Sequence, residues 1–143
     1  MKKVTHTQGS ADWLAWRRGG LGGSDIAAIL GLSPYPDGTR ENVFREKVHG
    51  WEKPQNGAMY RGTVLEPHAR AAYMRHARCQ APPVCVEMDG CPWARVSLDG
   101  LCNNGAVIAS ERLEWILELK APGWETHDLA LAGCVAEHFE VQV

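Results

Sequence analysis

Apolar residues recur at helical spacing along the first half of the chain and at alternate positions along much of the second. Ser24 ahead of Asp25-Ile-Ala-Ala-Ile-Leu30 predicts a short helix over 25–30, with Ser24 as its N-cap and Gly31 as its stop. Pro34, Pro36 and Gly38 mark a loop. A second helix is expected over 39–49, with Phe44 and Val48 four apart on one face and Gly50 at its end. The polar stretch 51–60 reads as a loop. The longest helix is expected over 63–78, with an apolar stripe of Leu65, Ala69, Ala72 and Tyr73 and with Pro67 tolerated near its start.

The pattern then changes. Val84–Met88, Ala94–Leu98 and Trp115–Lys120 read as strands bounded by Gly or Pro. Val107–Ala109 reads as a further short strand, paired through a turn at Asn103-Asn104-Gly105. Residues 127–142 return to a helical pattern. Helices, then a strand meander, then a helix define an α/β (α+β) fold: one domain over 1–143, with helices flanking a small mixed β-sheet.

Composition narrows the field. The chain has 143 residues, 22% of them charged, with a formal net charge of −2, and it is neither a disordered polyampholyte nor a polycation. No apolar run approaches the roughly 18 residues of a membrane span, and the first residues lack a secretory signal, so a soluble cytoplasmic protein is expected. The charge is unevenly placed: residues 1–78 hold 12 Lys and Arg against 7 Asp and Glu, and residues 79–143 hold 3 against 10. A basic half beside an acidic half suits a polyanion bound near clustered carboxylates, although chance partition of surface charge gives the same count. The cysteines Cys79, Cys85, Cys91, Cys102 and Cys134 are odd in number and contain no Cys-x-x-Cys pair, so they read as free, small buried hydrophobes. His68 and His76 read as surface residues, and Trp13 and Trp16 as packing residues.

The stretch that carries chemistry is Ile116-Leu-Glu-Leu-Lys120. Alternation places Ile116, Glu118 and Lys120 on one face and Trp115, Leu117 and Leu119 on the other. Asp99 follows the 94–98 strand, at a strand end where Glu118 of a neighbour can reach it. Two carboxylates and a lysine suit metal-dependent phosphodiester hydrolysis, because Mg²⁺ takes oxygen ligands and a cationic side chain can stabilise developing negative charge. Taken by themselves, the same residues read more simply as an exposed Glu–Lys pair on an edge strand. Upstream, Arg17, the run Gly19-Gly-Leu-Gly-Gly23 and Ser24 at a helix start have the makings of an anion site. A tight loop capped by Ser24, with Arg17 in solvent, is the plainer alternative.

Taken together, the segments Trp13–Tyr35, Arg61-Gly-Thr-Val-Leu-Glu66-Pro, Ser97-Leu-Asp99-Gly, Leu117-Glu118-Leu-Lys120-Ala-Pro and Glu140-Val-Gln142-Val resemble, in order, the YqaJ-type viral recombinases. These are relatives of lambda exonuclease within the PD-(D/E)XK nuclease superfamily. The resemblance implies a restriction-endonuclease-like core and a Mg²⁺-dependent exonuclease, with Mn²⁺ able to substitute, that degrades one strand of a DNA duplex from its 5′ end. It implies Asp99, Glu118 and the Leu119 carbonyl as metal ligands, Lys120 as the catalytic lysine, and Glu66 and Gln142 as further residues of the centre. It also implies Arg17 and Ser24 as holders of the 5′-phosphate. Read without the family, Glu66 is an ordinary first-turn glutamate and Gln142 a solvated helix residue.

Double-stranded DNA ends are the implied partner, within phage-type recombination, alongside a single-strand annealing protein and, as in some relatives, further copies of the chain. Two rival readings share these residues: a non-catalytic or partner-dependent DNA-end-binding module, and a restriction-like endonuclease, which has no need of the Arg17–Ser24 pocket. Because the chain stops one residue after Gln142, it is expected to be a C-terminally shortened version of the family domain, with a frayed last turn and weak or partner-dependent activity.

Overall fold

Side-chain caps decide where the helices begin. In a computed structural model, which describes residues 1–108 and 111–140 (104–108 and 111–114 by backbone alone), Ser10 accepts the Trp13 N–H at 3.2 Å and opens α1, Ala11–Arg18. Thr39 does the same for α3, Arg40–His49, and Asn56 for α4, Gly57–Ala77. Helix α2, Gly23–Leu30, differs from expectation: Gly22, not Ser24, is its N-cap, and the Asp25 carboxylate accepts the Gly22 N–H at 2.8 Å. The Ser24 hydroxyl is thereby left for another partner.

The Asn56 cap also corrects the long helix. It starts at Gly57, inside the stretch expected to be a loop, so Pro67 lies in its middle rather than near its start. Proline cannot donate to the Thr63 carbonyl, but Thr63 and Pro67 are both exposed, where water can serve that oxygen. The inward row is not the expected apolar stripe. Leu65, Ala69 and Ala72 are exposed, whereas Gly62, Glu66, Arg70, Tyr73, Met74 and Ala77 are half-buried. Phe44 and Val48 of α3 are likewise exposed. Charged Glu66 is on the inner face because it lines the cleft described below, and Arg70 pairs with it there.

Strands β1 (Lys2–Val4), β2 (Val84–Met88) and β3 (Cys91–Leu98) form one antiparallel sheet in that order, with Lys3 opposite Val86 and Val86 opposite Val96. A second antiparallel sheet pairs β4 (Gly100–Ile108) with β5 (Glu111–Leu117), Cys102 facing Trp115. The expected turn at Asn103-Asn104-Gly105 is instead part of β4, at a register shift between Asn103 and Val107. Ala109, the end of the expected fourth strand, lies outside the described residues. Among the described residues, pairing is parallel only at an isolated bridge between Leu21 and Ala94, and a bridge from Gln80 to Asn103 ties the α4–β2 connection to β4.

Cys79, Ala81, Cys102 and Leu117 make a buried cluster, against which Tyr73, Met74, Ala77, Trp115 and Leu119 pack. Full burial of a leucine such as Leu117 contributes about 1.5–3 kcal/mol. Of the cysteines expected to be buried, Cys79, Cys85 and Cys102 are, Cys91 is half-buried, and Cys134 is exposed; all are free. The C-terminal helix is not continuous. It breaks after α5 (Trp124–Leu131) at Gly133, whose φ of +78° is left-handed, and resumes as α6 (Glu137–Glu140). Among the described residues no helix is long and apolar enough to cross a membrane.

Candidate functional site

Strand β3 ends on buried Leu98, β4 begins at Gly100, and Asp99 occupies the corner between them. Its Oδ2 accepts the backbone N–H of Leu119 at 2.7 Å, and its carbonyl accepts Arg70 Nε at 2.6 Å. Strand β5 stops at Leu117, earlier than expected, because Leu119 turns its N–H to a side chain instead of a neighbouring strand. The alternation nevertheless persists: Leu117 is buried and Leu119 half-buried, while Ile116, Glu118 and Lys120 are exposed. Lys120 Nζ is ion-paired to Glu118 and stands 4.9 Å from the centre of the Phe139 ring.

Glu66 approaches from α4, held by an ion pair to Arg70 one turn on. Burial raises the Glu66 pKa above the ordinary carboxylate value; Asp99 and, more weakly, Glu118 push it the same way, while Arg70 opposes them. Asp99 and Glu118 are therefore both within electrostatic reach of Glu66. Among the described residues these three carboxylates do not converge as a ready set of three metal ligands, since Glu118 faces Lys120 and Asp99 holds the Leu119 N–H. All three are oxygen donors lining one cleft with a lysine, which is the donor chemistry of a hard divalent cation.

The opposite wall comes from α1 and α2. Ser24 Oγ accepts Arg17 Nη2 at 3.0 Å, and the Arg17 guanidinium lies 4.7 Å over the Trp13 ring. Trp13 Nε1 donates to Ser97 Oγ at 2.8 Å and Trp16 Nε1 to Glu87 at 2.7 Å, so both rings brace α1 against the first sheet and line the cleft instead of entering the core. Gly20 is where the glycine run is required: a Cβ there would lie 2.4 Å from the Trp93 carbonyl and 2.3 Å from Arg95 Nε. Beneath the wall, Lys47 pairs with buried Asp25 at 2.9 Å and donates to the Arg17 carbonyl at 3.3 Å.

One cleft of about 240 Å³ is lined by Arg17, Ser24, Glu66, Asp99, Glu118 and Lys120 together. Leu119 joins through its N–H. Gln142 lies outside the described residues. Sequence reasoning missed Arg95, which lines the cleft, and Arg70 and Lys47, which hold its walls. The Glu66-x-x-x-Arg70 spacing of a helical ion pair was the one local signal available.

The fold is similar to that of alkaline exonuclease crystal structures. The crystal structure of LHK-Exo in complex with dAMP superposes with a TM-score of 0.70 at 24% identity, covering 93% of this chain and 65% of that one. A second crystal structure, the alkaline exonuclease LHK-Exo from Laribacter hongkongensis, gives 0.68 at 25% identity, covering 93% and 64%. The chain thus spans about two-thirds of the length of these structures. It belongs to the YqaJ-like viral recombinase domain family, whose model matches residues 12–142. No curated protein matches it.

Proposed function

We propose that this chain is a Mg²⁺-dependent DNA exonuclease that hydrolyses phosphodiester bonds at duplex ends, from the 5′ end. The observation that carries the reading is the single cleft, with an arginine–serine anion pocket on one wall and two carboxylates and a lysine on the other. A restriction-like endonuclease has no use for the first wall. The dAMP named with LHK-Exo is a nucleoside monophosphate, the chemical form that end-wise cleavage releases.

In this reading Asp99 and Glu118 supply carboxylate oxygens to the metal, with the Leu119 carbonyl as the third donor, and Glu66 and Gln142 complete the centre. Held by these residues, Mg²⁺, or Mn²⁺ in its place, would supply charge to offset that of the scissile phosphate and would lower the pKa of a water. Lys120, beside Glu118 at the cleft wall, would donate to the phosphate oxygen on which charge develops. Arg17 and Ser24 hold the terminal 5′-phosphate, which fixes the distance from the strand end to the bond cut. The Trp13 ring backs the Arg17 guanidinium at the cleft wall. The work fits a cytoplasmic recombination setting, with an annealing protein as the consumer of the exposed strand and self-association open to measurement by light scattering.

The test is a nuclease assay on 5′-phosphorylated linear, 5′-hydroxyl linear and closed circular duplex DNA, with Mg²⁺, Mn²⁺ or EDTA. Mononucleotide release from the phosphorylated linear substrate alone or fastest, abolished by EDTA, is expected. Cutting of the circle would favour the endonuclease. Metal-independent binding of ends without any cleavage would favour a non-catalytic end-binding module.

A further inference from the structure

A second, open groove of about 1100 Å³ lies between the C-terminal half of α4 and residues of β1, β2 and β4. Lys3 enters it from β1, and Arg70, Arg75 and Arg78 enter it from α4 and its cap. Among the described residues, no carboxylate and no aromatic ring lines it. Lys3, Arg75 and Arg78 are exposed, and none of the three makes an ion pair among the described residues. The helix dipole accounts for cations at the end of α4, but it does not account for Lys3, which reaches the same groove from a strand 70 residues or more away in sequence. Arg78 adds a second sign. It caps α4 at φ +52°, the only non-glycine residue with positive φ among the described residues, at a position where glycine would be free of strain. Arg70 is the shared wall: it grips Glu66 and the Asp99 carbonyl towards the cleft while lining the groove.

We infer that this groove binds the sugar–phosphate backbone of one strand of duplex DNA, as a second contact apart from the end pocket. Cations that form no ion pair among the described residues attract a polyanion, and the described lining offers no aromatic platform for unstacked bases, so the contact is with phosphates and carries no sequence preference. The inference shares with the proposed function only the nature of the partner. It needs neither hydrolysis nor a strand end.

The experiment measures binding of the whole chain to closed circular duplex DNA in EDTA, across a series of salt concentrations, for wild type and for the triple variant Lys3→Ala, Arg75→Ala, Arg78→Gly. Arg78→Gly relieves a left-handed backbone, and melting temperature and circular dichroism report whether the variant is folded. Every phosphate left without its cation lowers the slope of log K against log salt by about 0.9. The triple variant is expected to bind at least about tenfold more weakly, with a slope smaller by about 2 to 3. Lys53→Ala with Arg45→Ala removes two cations elsewhere (Lys53 paired with Asp37, Arg45 stacked on Trp51) and is expected to bind like wild type. Wild-type affinity and slope in a folded triple variant would overturn the inference, as would an equal loss in the control or a wild type that ignores circular DNA. None of these results bears on cleavage, and an inactive wild type that still binds circles through the groove would sink the nuclease reading alone.

Discussion

The Asp99 carboxylate accepts the backbone N–H of Leu119 at 2.7 Å, which joins the end of the first sheet to the segment leaving the second. Glu118 and Lys120 flank that N–H, so the same hydrogen bond sets where both stand relative to Asp99. A residue proposed to hold metal is thus also a structural clasp, and substitutions should separate the two roles. Asp99→Asn keeps an acceptor for Leu119 and is expected to melt close to wild type while losing metal affinity in calorimetric titration and losing cleavage. Asp99→Ala strands a half-buried N–H and should cost a further 1–2 kcal/mol or so in denaturant unfolding.

Lys120→Ala is expected to spare metal binding and lower kcat by about 10²–10³, the scale for removing one donor from developing charge. A comparable fall in metal affinity would instead make Lys120 a positioning residue for Glu118.

Replacing Arg17 with Ala should slow cleavage of 5′-phosphorylated ends by tenfold or so more than cleavage of 5′-hydroxyl ends, because a bidentate guanidinium contact to phosphate is the interaction removed. Equal loss on both ends would reduce Arg17 to a general backbone contact.

The Lys47–Asp25 pair predicts where the end pocket is most fragile. Both side chains are about nine-tenths buried, and Asp25 also accepts the Gly22 N–H. Lys47→Ala leaves a buried carboxylate without its cation and should cost about 3–5 kcal/mol in equilibrium unfolding. It should also weaken recognition of phosphorylated ends, although Lys47 touches no substrate in the proposed reading.

Glu66 makes stability depend on pH. Its folded pKa is raised by burial and by Asp99, so the folded state holds the proton more tightly than the unfolded chain. Below the ordinary carboxylate value there is no penalty. As pH rises from there through the raised folded value, ionisation destabilises the fold, and above that value the loss is complete. Glu66→Gln should flatten this descent in melting temperature against pH while leaving an acceptor for Arg70. Added Mg²⁺ should flatten it in wild type, if the carboxylates hold a cation.

Much of this was readable in the residues. Strand β2 has the expected bounds, Asp99 stands at a strand end, and the in–out alternation of 115–120 survives beyond the strand itself. The family resemblance is confirmed over 12–142. What escaped was set by partners distant in sequence or by competition among polar groups. Ser24 gave up the N-cap to Gly22 because Asp25 reached back for the free N–H, a choice invisible to cap preference alone. Arg70, four residues after Glu66, is no part of the expected apolar stripe, and its acceptor at Asp99 is 29 residues away. Lys47 and Asp25 lie on different helices, and no periodicity joins them. Gly133 was visible, but the apolar pattern across it outweighed a single glycine.

The crowding at Gly20 bears on how the Arg17–Ser24 turn, proposed to hold a strand end, can be moved between proteins. The Leu21 N–H donates to the Trp93 carbonyl at 2.7 Å and its own carbonyl accepts the Arg95 N–H at 3.0 Å, with no space for a Cβ at Gly20 against the same strand. The turn between α1 and α2 is shaped against β3 and has no independent form. A graft carrying only residues 13–24 onto another scaffold would arrive without the surface that moulds it. The smallest transplantable unit includes Cys91–Leu98, and with that strand comes the corner residue Asp99.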